Sequence, residues 1–136
     1  MANIVKQKIL LNGPSWAIVA LYLKSDGASG DLVKQTILDP VVNFGMKSSD
    51  RMTLEYLAYN FAGFDASIEF ESGLVDPTFK WVLSEGTNHP VDFLPFGGLI
   101  DDSGLDGTGK LQITTTGFTS LADQGALLLK VRKPSR

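Results

Sequence analysis

Across residues 64–71 the sequence changes character at every step. Phe64, Ala66, Ile68 and Phe70 are apolar, while Asp65, Ser67, Glu69 and Glu71 between them are polar. Side chains on an extended strand point to opposite faces with a period of two, so this segment predicts a strand with one face in a core. The preceding residues 54–61 are rich in aromatic and apolar types, with no polar face at helical spacing. Ala62-Gly63 separates the halves, and a glycine there suits a tight turn. Residues 52–72 therefore predict a β-hairpin at the centre of an all-β domain.

The flanking chain carries the same signature. Strands are expected at 3–11, 16–24, 32–38, 79–83, 91–96, 111–116 and 126–133. The first two are close enough to pair across the turn Asn12-Gly13-Pro14-Ser15. The second is apolar on both faces, which suits a central strand or a subunit contact. Asp39-Pro40 ends the third, and residues 41–50 read as a connection crossing between sheets with Phe44 as its apolar anchor. Pro95 favours an edge position for 91–96. In the last strand Leu127, Leu129 and Val131 are expected inward, and Lys130 and Arg132 outward. Residues 25–31, 85–90 and 97–110 read as loops. The sum is eight or nine short antiparallel strands in a two-sheet β-sandwich with jelly-roll-like or Greek-key connections, spanning 1–136 as one domain.

Composition narrows the class. A chain of 136 residues can bury roughly 70% of its unfolded surface without a metal or disulfide staple. The absence of cysteine removes disulfides and thiolate metal sites. A net charge of −3 argues against nucleic acid as the main partner. The start MANIVKQK lacks the apolar run of a cleaved export signal, and the apolar stretch 17–23 is too short to span a bilayer, so no membrane partner is expected. Charge is nevertheless uneven. Lys130, Arg132, Lys133 and Arg136 crowd one end, and Asp101, Asp102 and Asp106 crowd one loop. Each patch is either a solvated strand or loop end, or a contact for a partner of opposite sign.

No motif carries chemistry. Residues 104–110 (GLDGTGK) match the spacing of a phosphate-binding loop, but Leu111 stands where a magnesium-binding hydroxyl belongs, and a β-run follows where a helix is needed. Asp102, Gly104, Asp106 and Gly107 resemble the start of a calcium loop without its third-position ligand, and Ile113 occupies the twelfth position. His89, before Pro90, has Asp92 as its nearest carboxylate and reads as a surface histidine. Glu69 and Glu71 share a strand face, as paired glycosidase carboxylates do, but a polar outer face demands the same residues. Trp16, Trp81 and the phenylalanines read as core, with some at an interface. No cofactor, no metal and no catalytic residue is expected, and the chain is not expected to be an enzyme.

Residues 93–99 (FLPFGGL), 103–111 (SGLDGTGKL), 114–118 (TTTGF) and the final strand ending at Lys133, with 64–70 (FDASIEF), together resemble small structural proteins of tailed bacteriophage virions, most like capsid decoration or cement proteins. The resemblance implies a β-rich protein on the outside of the phage head, made in the host cytoplasm. It would bind the major capsid protein, often as a homotrimer, and stabilise the shell. Partner contacts are then expected at Trp16 and Tyr22, at Asp101, Asp102 and Asp106, and at Lys130, Arg132, Lys133 and Arg136. The alternative is a tail- or fibre-associated β-sandwich domain that binds carbohydrate or a host surface. Exposed Trp16 or Trp81 beside a carboxylate would favour that second reading.

Overall fold

The computed structural model describes residues 3–47, 51–72, 80–100 and 107–133. These form strands β1 (Ile4–Asn12), β2 (Trp16–Lys24), β3 (Gln35–Leu38), β4 (Thr53–Ala62), β5 (Asp65–Ser72), β6 (Lys80–Leu83), β7 (Gly86–Asp92), β8 (Leu99–Ile100), β9 (Gly107–Thr116) and β10 (Gln124–Arg132). A short helix, α1 (Pro40–Phe44), and a single 3-10 turn at Leu94–Phe96 complete the set. All strand pairs are antiparallel and fall into two sheets. The larger runs β1-β2-β10-β4-β7, with β8 also pairing β4, and the smaller runs β3-β9-β5-β6. The fold is the expected all-β, two-sheet, jelly-roll-like sandwich, with both sheets open.

Alternation places the core between the sheets. Ala17, Val19, Leu21 and Leu23 of β2 and Leu127, Leu129 and Val131 of β10 are buried on one side. Ala66, Ile68 and Phe70 of β5 and Leu111 and Ile113 of β9 are buried opposite them. Each large apolar side chain removed from water in this way stabilises the fold by about 1.5–3 kcal/mol. The inward sets expected on residues 64–70 and 127–131 are the ones observed, and β1 and β2 form the expected hairpin. β2 lies inside its sheet, between β1 and β10.

The central hairpin is corrected. β4 and β5 are consecutive but belong to different sheets, so Ala62-Gly63 is a corner and not a hairpin turn. The cause is aromatic. Phe61 and Phe64 stack with centroids 4.7 Å apart, and Phe64 meets Phe118 edge-on at 4.6 Å. All three rings are buried, which requires the chain to pass from one sheet to the other between residues 61 and 64. Gly63 has φ +88°, and a Cβ there would lie 2.0 Å from Asp123 Oδ1.

Other boundaries move for local reasons. Residues 86–90, expected in a loop, belong to β7, paired with β4 through Ala58↔Pro90 and Tyr59↔His89. β7 ends the order of its sheet, where a residue without an N–H is tolerated. The edge position attributed to Pro95 thus belongs to Pro90, and Pro95 lies in the 3-10 turn. The crossing between sheets after β3 is as expected, but it includes α1. Asp39 caps this helix by accepting from the Val41 N–H at 3.1 Å, Pro40 enters its first turn, and Gly45 ends it at φ +66°. Phe44 is half-buried and packs against the core. β9 begins at Gly107, so the second half of the near phosphate-loop motif is strand. β5 shows a further departure. Its polar face was expected to be solvated, yet Ser67 is 8% and Glu69 3% exposed. β5 has neighbours on both sides, and Gln112 of β9 lies in register with Glu69 and is itself buried.

Candidate functional site

The outward face of the larger sheet follows from the same alternation that builds the core. On β2 the outward residues are Trp16, Ile18, Ala20 and Tyr22, the complement of the buried set. β10 contributes Ala126, Leu128, Lys130 and Arg132. β4 contributes Tyr56, Ala58 and Asn60. Strand register aligns these into rows. Ala20, Leu128, Ala58 and Pro90 form one row, and Tyr22, Ala126 and Asn60 form the next. Alanine at three of these positions leaves a shallow hollow beside the larger side chains. An open groove of about 530 Å³ follows, lined among others by Ala20, Tyr56, Ala58, Pro90, Ala126 and Leu128. A second hollow of about 360 Å³, which also touches Asn60 and Ala126, extends it past Tyr22 and Gln124. Among the described residues neither lining contains a charged one. Tyr22 donates its hydroxyl to Gln124 Oε1 at 3.2 Å.

Charge collects at the ends of this face. At one end Glu55 is only 6% exposed. Its carboxylate accepts from Arg132 Nη1 at 3.1 Å and lies 3.8 Å from Lys130 Nζ. The Lys130 ammonium also stands 4.9 Å over the Trp16 ring. Arg132 donates a second bond to the Gly97 carbonyl at 3.2 Å. Lys133 folds back onto the β1–β2 turn, donating to Asn12 Oδ1 and, at 2.7 Å, to the Gly13 carbonyl, with its ammonium 4.9 Å from the Phe44 ring. Burial there lowers the lysine's pKa from its ordinary value. Along the β1 flank, Lys6 and Lys8 are exposed and in register with Tyr22 and Ala20.

Of the residues singled out in the sequence, Trp16, Tyr22, Lys130 and Arg132 share this one face, because Arg132 pairs with Trp16 in the β2–β10 ladder. Lys133 points to the adjoining turn. Asp101, Asp102, Asp106 and Arg136 lie outside the described residues, and so does the calcium reading that rested on residues 101–106. His89 contributes its backbone to β7, and its side chain is likewise outside what is described. Glu55, Ala58, Ala126 and Leu128 were not singled out. Their signal was present, since Leu128 and Ala126 fall on the outward side of the alternation that sends Leu127 and Leu129 inward.

Among the described residues no three His, Cys, Asp or Glu side chains gather to hold a metal. Glu71 accepts from the Gln112 amide, which ties it to a neighbouring strand. Among the same residues no helix is long and apolar enough to cross a membrane. Both tryptophans are partly exposed, Trp16 at 41% and Trp81 at 36%. Trp16 has Lys130 over its ring, however, and Trp81 meets Phe93 edge-on at 5.0 Å, so each ring already has a partner.

No family model matches the chain, and no curated protein does. A search of solved structures finds a chain described under "Bacillus endospore appendages form a novel family of disulfide-linked pili". It is 17% identical, with a TM-score of 0.42, over 95% of this chain and 97% of that one. The expected description as a bacteriophage virion, capsid, decoration or cement protein, with a place on the capsid exterior, is therefore corrected: the comparison leads to a bacterial pilus chain and not to a capsid protein. What the strand order shows for this chain is an all-β fold of two open antiparallel sheets.

Proposed function

We propose that the chain is a structural domain of fibre- or appendage-associated kind, which works by holding a neighbouring surface and transforms no substrate. The observation that carries this is the outward face of the larger sheet. It leaves Tyr22, Leu128 and Pro90 exposed on three different strands, around a groove whose lining bears no charge among the described residues. Broad apolar patches on soluble proteins mark association surfaces. Glu55, paired with Lys130 and Arg132, lies at one end of this patch.

Immunogold labelling of intact cells or particles from the organism that makes the chain tests this reading. Label following an extended surface structure is the expected result. Label confined to the interior would sink it.

A further inference from the structure

We infer that the outward face of the larger sheet is a two-fold contact between two copies of this chain, centred on Leu128. β10 is the middle strand of the five in the order β1-β2-β10-β4-β7. Leu128 lies at the middle of its nine residues and is 37% exposed. Alanines flank it in its own row, Ala20 on one side and Ala58 on the other, and Ala126 precedes it by two residues on the same face. A raised leucine beside alanine hollows is a self-complementary shape. A two-fold axis passing close to β10 places each Leu128 in the other copy's hollow, as an isologous contact requires.

Area favours a second copy as the occupant. Five strands about 4.8 Å apart and nine residues of about 3.4 Å each cover roughly 24 by 30 Å, or about 700 Å². A stable interface buries about 800 Å² per partner. The groove itself is open, and its described lining is uncharged and offers no ion pair or enclosed pocket to a small charged ligand. A two-fold axis running along the strands brings the β1 edge of one copy over the β7 edge of its partner, with the sheets face to face and aligned.

This inference rests on the structural reading above only in using the same face to hold a neighbour. Labelling reads location and cross-linking reads pairing, so either can fail alone.

The native chain contains no cysteine, so a single Leu128→Cys substitution gives an unambiguous cross-linking probe. Treatment of that variant with a short bis-maleimide, which can bridge facing sheets about 10 Å apart, is expected to give a covalent dimer on a denaturing gel. Val82→Cys, exposed on the smaller sheet, is the control and is expected to stay monomeric. The wild-type chain is expected to sediment as a dimer. Leu128→Glu should raise the dissociation constant roughly a hundredfold or more by burying an unpaired charge, with an unchanged circular dichroism spectrum. A wild-type monomer at the highest concentration NMR permits would overturn the inference. A dimer that Leu128→Glu leaves intact and Leu128→Cys fails to trap would overturn it as well, by placing the contact elsewhere. Amide shifts along β2 and β10 on adding a neutral oligosaccharide to a monomeric wild-type chain would assign the face to a glycan instead.

Discussion

Glu55 and Arg132 meet at 3.1 Å across a β-bulge. Lys130 pairs with Tyr56 and Val131 with Leu54, so Glu55 is the extra residue of β4. Its carbonyl accepts instead from the Phe93 N–H at 2.9 Å. The bulge turns a carboxylate into a nearly closed site under two cations that themselves reach water. The two halves of the pair should therefore respond unequally. Arg132→Met leaves a buried carboxylate short of a donor and should cost about 1–3 kcal/mol. Glu55→Gln keeps an acceptor and frees cations that water can solvate, so it should cost less than about 1 kcal/mol. Urea midpoints of the two variants check this, and equal losses would count against it.

Gly125 faces the aromatic corner. A Cβ there would lie 2.5 Å from Phe61 Cδ1 and 2.9 Å from Phe64 Cζ. Gly125→Ala should destabilise the fold by about 1–3 kcal/mol through overpacking. Adding Phe64→Leu should recover part of that loss, because the smaller side chain vacates the space. A double-mutant cycle in thermal unfolding measures the coupling, and strict additivity would show that the corner does not sense the methyl group.

Asp26 contributes to the acid limb of stability. Its carboxylate accepts from the Ser29 hydroxyl, the Ser29 N–H and the Ala28 N–H, which lowers its pKa from 3.8 to about 2. A carboxyl whose folded pKa is depressed contributes stability that is present above pH 3.8 and lost as the pH falls through about 2. Asp26→Asn lacks this titration. The melting temperature of the wild type should thus fall more steeply than that of Asp26→Asn on acidification through this window, while the two run parallel above it. Parallel curves throughout would remove Asp26 from the acid response.

Gln7 ties the two sheets together at their open edge. Its amide donates to the Ile37 carbonyl at 2.7 Å and exchanges bonds with the Asn43 amide at 3.1 and 3.3 Å. Gln7→Ala should cost about 1 kcal/mol. It should also speed hydrogen exchange of the β3 and α1 amides while leaving β2 and β10 unchanged. Uniform acceleration across the sandwich would mean that this edge does not open independently.

How far these features were legible in the sequence depended on whether a neighbour outside the strand was involved. The alternation at residues 64–70 and 127–131 named the inward side chains correctly, because strand period alone decides which face a side chain takes. The same alternation exposed Leu128 and Ala126, but nothing local distinguishes an association face from a solvated one. The corner at Ala62-Gly63 was misread as a hairpin because a glycine serves both. The choice was made by Phe118, more than fifty positions away. β7 was hidden because residues 86–90 have no apolar period, and pairing with β4 alone makes them a strand. Glu69 looked solvated for the same reason, since its burial depends on what β9 places beside it.

One consequence of the strand order concerns how the chain is made. β10 inserts between β2 and β4, yet it is synthesised after the other nine strands. Until residues 124–132 leave the ribosome, both β2 and β4 present an empty hydrogen-bonding side, and the larger sheet exists only as two unjoined halves. Assembly of that sheet must therefore await the final strand, and a nascent chain interrupted before Gln124 would carry two sticky seams in place of one finished surface.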